Sequence, residues 1–89
     1  MSEIDFPNVE KIDPATFHVA FPAIVDGKQI SCIITSEALQ ANFIGDHSNK
    51  IEIFQNNRST IENKVQELIG QNRYENDGSI FVRTADFES

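Results

Sequence analysis

The feature that most constrains the fold is a pair of alternating apolar runs separated by Asp26-Gly27. The first run consists of Phe17, Val19, Phe21, Ala23 and Val25, and the second consists of Ile30, Cys32 and Ile34. Alternation is typical of strands with one buried face, and Asp-Gly favours a two-residue type I′ turn because both of its central residues take positive φ. The pattern therefore predicts a β-hairpin over residues 16–35.

The two-residue loop also predicts the register of the hairpin, starting from Val25 opposite Lys28. The apolar pairs that this register produces are Ala23–Ile30, Phe21–Cys32 and Val19–Ile34. A slip of one residue would move each side chain to the other face, so the apolar pattern specifies this register. Pro22 lacks an N–H, and we expect the first strand to expose an edge or to bulge there.

Two helical patterns and a closing strand follow the hairpin. Ser36 is the expected N-cap of a short helix that contains Leu39, and Asn49 is expected to begin a second helix of about twenty residues that ends at Gly70. The apolar stripe of this second helix consists of Ile51, Phe54, Ile61, Val65, Leu68 and Ile69. Residues 80–84 predict a last strand. The predicted fold class is α+β in the order β-β-α-α-β, with a small antiparallel sheet covered on one face by helices.

The length of 89 residues is that of a single domain. We expect residues 16–89 to form the α+β domain. Residues 1–15 are interrupted by Pro7 and Pro14 and are compatible with an extended N-terminal arm or a short edge strand, of which we favour the arm.

Charge and hydropathy argue against two classes of partner. The chain has 7 basic and 14 acidic residues, a net charge of −7, whereas binding to a nucleic-acid backbone requires clustered Lys and Arg. No apolar run approaches the roughly 20 residues that a membrane-spanning helix needs. The acidic start of the chain is unlike the basic region of a secretory signal. We therefore expect a cytoplasmic protein with neither a nucleic-acid nor a membrane partner.

The residue types that most often carry chemistry are few and separated. The predicted register places Cys32 on the face of Phe21 and His18 on the opposite face, so they cannot act together as nucleophile and base. Asp46-His47 offers two metal ligands where a site needs three or four. The sequence also lacks a Gly-rich phosphate loop and a catalytic-triad pattern. We predict no catalytic residue, no metal site and no cofactor, and a protein that is not an enzyme.

Two residues of the second predicted helix are candidate binding residues. Arg58 falls near the centre of the apolar stripe, where a guanidinium requires a carboxylate partner or an anionic ligand. Glu62, four residues on, is a local partner, and capture of a small anionic ligand is the alternative. Ile53 lies away from the stripe, and we expect it to share an exposed contact patch with Phe6 and Phe87.

Several short motifs give the chain a resemblance to a known family. The motifs are Phe6-Pro7-Asn8, Val19-Ala20-Phe21-Pro22-Ala23-Ile24-Val25-Asp26-Gly27, Ser36-Glu37-Ala38-Leu39, Asn57-Arg58 with Ile61-Glu62, and Gly78-Ser79-Ile80. In this order and spacing they resemble the short bacterial domain-of-unknown-function family numbered fourteen eighty-eight, over nearly the whole chain. The resemblance implies a free-standing α+β domain of the bacterial cytosol, and it implies no catalytic residue, cofactor or partner.

Three classes of function remain. The leading hypothesis is a small non-enzymatic interaction or regulatory module, which binds a protein partner or forms a homodimer through a strand edge or a helix face. The second is a binder of a small anionic ligand at Arg58. The third is an enzyme whose site the sequence does not reveal.

Overall fold

A computed structural model of the chain describes residues 3–43, 45 and 48–87. These residues form one sheet and three α-helices, so the predicted α+β class is confirmed. The strands within these residues are β1 (Ile4–Asp5), β2 (Lys11–Ile12), β3 (Val19–Val25), β4 (Lys28–Ile34) and β5 (Ile80–Val82). The helices are α1 (Ser36–Asn42), α2 (Lys50–Asn56), α3 (Arg58–Gly70) and a 3₁₀ helix (Thr84–Phe87).

The hairpin has the predicted turn and the predicted register. Asp26 and Gly27 take φ values of 52° and 86°, and Val25 lies opposite Lys28, with the pairing continuing to Val19 opposite Ile34. The residues of the three predicted apolar pairs, Ala23–Ile30, Phe21–Cys32 and Val19–Ile34, face the helices and are buried. Phe17, which the alternation had placed in the first strand, precedes β3 instead and is 56% exposed, because a φ of 60° at this residue turns the chain before the strand begins.

The sheet is mixed, so the prediction of an antiparallel sheet is wrong at its last strand. The strand order is β1-β3-β4-β5, with β2 also paired to β3. β5 runs parallel to β4 because the three helices carry the chain across one face and back to the starting end of the sheet. The helices cover this single face, as predicted, and Ala20, Gln29 and Ser31 on the other face are exposed.

The N-terminal residues form short strands on the outer edge of β3. β1 pairs with Ile24 and Val25, and β2 pairs with Val19 and Ala20. Pro22 lies between these two pairings, at a position where β3 has no strand on this side among the described residues. The edge expected at Pro22 is therefore present, since a residue without an N–H cannot donate a ladder hydrogen bond.

The long second helix predicted from the apolar stripe is two helices. Asn57 separates α2 from α3 with φ −121° and ψ 20°, and its side-chain amide donates to the Ile53 carbonyl at 2.9 Å. In a continuous helix the Ile53 carbonyl would accept from the Asn57 N–H, which here donates to Phe54 instead. The Asn57 side chain thus competes with the helical hydrogen bond, which explains the break. The N-cap of α1 also differs by one residue from the prediction, because Thr35 rather than Ser36 accepts from the Ala38 N–H, at 3.1 Å.

Candidate functional site

Arg58 lies in a cluster of side chains that joins the N-terminal strands to the helices. Its Nη1 donates to Glu62 Oε2 at 3.0 Å, and its Nη2 donates to Glu10 Oε1. The guanidinium also lies over the Phe54 ring, 4.9 Å from the centroid. The second oxygen of Glu10 accepts from the Gln55 amide at 2.8 Å. Arg58 is thus held by two carboxylates and an aromatic face, so the structure favours the ion-pair interpretation of this residue over anion capture.

Ile53 is not at the surface. It is 2% exposed and packs in the core, so the prediction of an exposed position is wrong. The break at Asn57 gives α2 its own buried face, formed by Lys50, Ile53 and Phe54 at i, i+3 and i+4 spacing. Treating residues 49–70 as one continuous helix therefore places Ile53 on the wrong face. Phe87, the expected neighbour of Ile53 in a contact patch, is partly buried against the core.

The residues weighed for catalysis or metal binding are occupied or lie outside the described part of the chain. Cys32 is fully buried, and burial raises the pKa of its thiol to about 12, which keeps it protonated and unreactive at neutral pH. His18 Nδ1 accepts from the Ser36 N–H at 2.9 Å, at the start of α1. Asp46-His47 lies outside the described residues. Within residues 3–43, 45 and 48–87, no three His, Cys, Asp or Glu side chains are grouped to hold a metal ion.

The first half of β4 is unpaired on one side. β5 pairs only with Cys32, Ile33 and Ile34, and the Thr35 N–H continues this side of the ladder by donating to the Val82 carbonyl at 3.1 Å. Main-chain groups alternate sides along a strand, so those of Gln29 and Ser31 point to the same side as those of Ile33 and Thr35. Among the described residues, the N–H of Ser31 and both main-chain groups of Gln29 have no main-chain partner on that side.

A groove of about 490 Å³ runs along this open edge. One wall is formed by Val25 and the β4 segment 28–31, and the other by Tyr74 and the loop segment 77–79. The phenol of Tyr74 and the ammonium of Lys28 make no hydrogen bond or ion pair with any of the described residues. The groove therefore combines open main-chain groups, an aromatic ring and two opposite charges, those of Lys28 and Asp77.

The carboxylate of Asp77, which lines the groove, is held in place by Ser79. Its Oδ1 accepts from the Ser79 hydroxyl at 2.6 Å and from the Ser79 N–H at 3.0 Å. These hydrogen bonds favour the ionised form and hold the pKa of Asp77 below its ordinary value. A carboxylate with a lowered pKa is a weak base, and His18, the histidine of the described residues, does not line the groove. The Asp77–Ser79 pair is therefore suited to binding a cation or an N–H donor rather than to activating a serine nucleophile.

A smaller hollow of about 260 Å³ lies on the exposed face of the sheet, between Val9 and Pro22 on one side and Gln29 and Ser31 on the other. It reaches the outer edge of β3 at Pro22, which supplies a carbonyl but no N–H, so that edge offers half of the hydrogen bonds that an added strand needs. The β4 groove is the better candidate site for that reason.

Sequence reasoning missed the groove and the Glu10 partner of Arg58. The groove residues of the loop and of β4 are more than 40 positions apart, and they meet only because β5 is parallel and short. Glu10 meets Arg58 across 48 positions. The one available signal was Asn76-Asp77-Gly78, which indicated a turn immediately before the last strand.

The fold described above can be compared with known proteins. A family model described as "Protein of unknown function (DUF1488)" matches residues 4–82, which span every strand of the sheet and all three α-helices. The chain belongs to the DUF1488 family. The resemblance indicated by the sequence motifs is confirmed, and the family description assigns no activity to any of the residues discussed above.

Individual relatives match the chain over most of its length. The chain is 31% identical over 80 residues to the uncharacterized protein YrdB of Escherichia coli strain K12, a match that covers 89% of this chain and 94% of the relative. YrdB of Shigella flexneri matches with the same identity and coverage. The crystal structure of a DUF1488 protein of unknown function from Shewanella loihica PV-4 shares the fold, with a TM-score of 0.75 and 27% identity over 89% of this chain and 90% of that one.

Proposed function

We propose that this DUF1488 protein is a non-enzymatic interaction module that binds a protein partner in the β4 groove. The observation that carries the proposal is the open edge of β4, where Gln29 and Ser31 present main-chain groups that have no main-chain partner among residues 3–43, 45 and 48–87, beside a groove of about 490 Å³. Unpaired main-chain groups at a sheet edge are a template for another polypeptide.

The side chains of the described residues support a binding role over a catalytic one. The Cys32 thiol is buried and His18 Nδ1 is occupied by the Ser36 N–H. The hydroxyl of Ser79 is bonded to a carboxylate that is a weak base. The proposal therefore includes the absence of catalytic activity, and turnover of any substrate in a broad hydrolase panel, abolished by Ser79→Ala, would contradict it.

The charge of the chain supports a protein partner over a nucleic acid. A net charge of −7 repels a phosphate backbone. No helix among the described residues is long and apolar enough to cross a membrane. We place the interaction in the cytoplasm, where the single thiol of Cys32 stays reduced, and subcellular fractionation with an antibody to the protein tests this placement.

Photo-crosslinking from the groove tests the proposed function. A benzophenone amino acid replaces Gln29, which lines both the groove and the smaller hollow. In matched controls it replaces Val9, which lines only the hollow, and Gln66, an exposed residue of α3 that lines neither. In a lysate of the source bacterium, we expect one protein to be crosslinked at high yield from position 29, and this crosslink to be lost from positions 9 and 66 and when excess unlabelled protein competes. Equal crosslinking from position 29 and from either control would show that the groove is not the binding site.

A further inference from the structure

We propose that the groove binds its partner by β-strand addition, and that the bound segment is an extended, basic stretch of polypeptide that pairs with β4 beside Gln29 and Ser31. This inference rests on the proposed function and gives it a mode of recognition and a partner chemistry. The new strand would occupy the place next to β4 that β5 leaves vacant before Ile80.

The hydrogen-bonding groups of the edge define the occupant as a polypeptide backbone. Gln29 offers an N–H and a carbonyl, and Ser31 offers an N–H, two residues further along the same side of β4. Donors and acceptors at this two-residue spacing match the main-chain groups of an extended chain, which alternate with the same period.

The walls of the groove limit what can enter. The loop segment 77–79 and Tyr74 line the groove together with the edge of β4, so a single strand added here would lie beside the loop, and the flat edge of a second sheet would meet it. Val25 and Ile30 supply apolar surface near the hairpin turn, and Ser31 and Gln29 supply polar surface on the exposed face of the sheet. An added strand with alternating apolar and polar side chains would match these two faces.

The charges favour a basic occupant over a second copy of this chain. Asp77 presents a carboxylate that the hydrogen bonds from Ser79 keep ionised, and only one of its two oxygens takes part in those bonds. The net charge of −7 attracts basic segments over a distance and opposes the approach of an identical acidic chain. Lys28 and Asp77 both line the groove, so we expect the basic side chains of the partner to lie beside Asp77 and away from Lys28.

Peptide selection with a main-chain variant tests this inference. Ser31→Pro removes the N–H that faces the groove and, by the alternation of the strand, leaves the β3–β4 ladder intact, much as Pro22 does on the opposite edge. Ser31→Ala is the matched control, because it changes the same side chain and keeps the N–H. A phage library of random heptapeptides is selected on the wild-type protein, and the affinities of the enriched peptides are measured by fluorescence polarisation, after circular dichroism has shown that all variants are folded.

We expect the enriched peptides to be basic and to alternate in polarity. They should bind Ser31→Pro at least tenfold more weakly than Ser31→Ala. The Asp77→Asn substitution should weaken the binding of the peptides and make their affinity less dependent on salt concentration. Hydrogen exchange at the Gln29 and Ser31 amides should slow when a peptide is bound. Each of these results supports the inference.

Four results would overturn it. In the first, the selection yields no peptide that prefers wild type to Ser31→Pro, and in the second the peptides bind Ser31→Pro and Ser31→Ala equally. In the third, the enriched peptides are acidic. In the fourth, the wild-type protein is a dimer in sedimentation velocity and Ser31→Pro dissociates it. The last would make a second copy the occupant. A partner crosslinked from position 29 that is indifferent to Ser31→Pro would leave the proposed function standing and reject strand addition, so the two failures are distinguishable.

Discussion

The ion-pair cluster around Arg58 gives a quantitative prediction about how the N-terminal strands are held to the helices. Arg58→Met keeps an apolar stem near the Phe54 ring but removes the guanidinium, so that Glu10 retains the Gln55 amide as its hydrogen-bond donor. The Glu10 side chain is only 10% exposed, and a carboxylate so poorly solvated is costly to leave without its cation. We expect Arg58→Met to lower the free energy of unfolding by about 2–4 kcal/mol.

The two carboxylates should contribute unequally. Glu62 is 20% exposed and lies four residues from Arg58 in the same helix, where such pairs contribute about 0.3–0.5 kcal/mol. Glu10 is 48 residues away, so its pair exists only in the folded chain, and we expect a coupling energy of about 1.5–3 kcal/mol. The double variant Arg58→Met/Glu10→Gln should be more stable than Arg58→Met alone, because it leaves no ionised Glu10 without a cation.

Urea unfolding followed by far-UV circular dichroism measures these energies in two double-mutant cycles, Arg58→Met with Glu10→Gln and Arg58→Met with Glu62→Gln. For a domain of this size, 1 kcal/mol corresponds to about 4–8 °C in Tm, so thermal unfolding is an independent check. An Arg58–Glu10 coupling below about 0.5 kcal/mol, or a double variant less stable than Arg58→Met, would refute the reasoning.

Three further predictions follow from buried or capping groups. Ile53→Ala should lower the free energy of unfolding, measured in urea, by about 2–4 kcal/mol. The control Asn56→Ala, at an exposed position of the same helix, should change it by less than about 0.5 kcal/mol. Equal effects of the two substitutions would contradict the burial of Ile53. The native Cys32 thiol, with its pKa raised to about 12, should react with DTNB at pH 8 only as fast as the protein unfolds. Because the unfolded thiol loses its proton at lower pH than the folded one, stability should fall as pH rises from 9 towards 12, with a slope that Cys32→Ala reduces. His18→Ala should cost about 1 kcal/mol, since it leaves the Ser36 N–H without its acceptor, and an unchanged midpoint of urea unfolding would show that this bond contributes nothing.

The parts of the fold that could be predicted are those in which local chemistry decides the outcome. Asp26-Gly27 fixes a two-residue turn, the turn fixes the register, and the alternation fixes the buried face, so the hairpin was predictable residue by residue. Asn49 caps α2 through its side chain, which accepts from the Glu52 N–H at 3.2 Å, and this too follows from spacing alone.

The parts that were not predicted depend on contacts between distant segments or on competition within a helix. The direction of β5 depends on how many times the connecting helices cross the sheet. The helical patterns suggested two connecting helices between β4 and β5, whereas the break at Asn57 makes three. The same break explains why Ile53 is buried. The ion pair of Arg58 with Glu62 was predicted and is present. The groove residues Tyr74 and Asp77 were not predicted, because they are brought to β4 by the parallel pairing of β5.

The length of β5 is what makes the groove possible, and the surrounding residues keep it from becoming an aggregation site. A last strand long enough to pair with Gln29 would have completed the ladder and closed the edge. The opposite edge of the hairpin is interrupted by Pro22 and partly covered by β1 and β2, the devices that natural sheets use against edge-to-edge pairing. The open half of β4 has no proline, and it is shielded by the loop that contains Asp77. An edge that is recessed rather than blocked excludes another sheet and still admits one strand, and this is the arrangement that a strand-binding site requires.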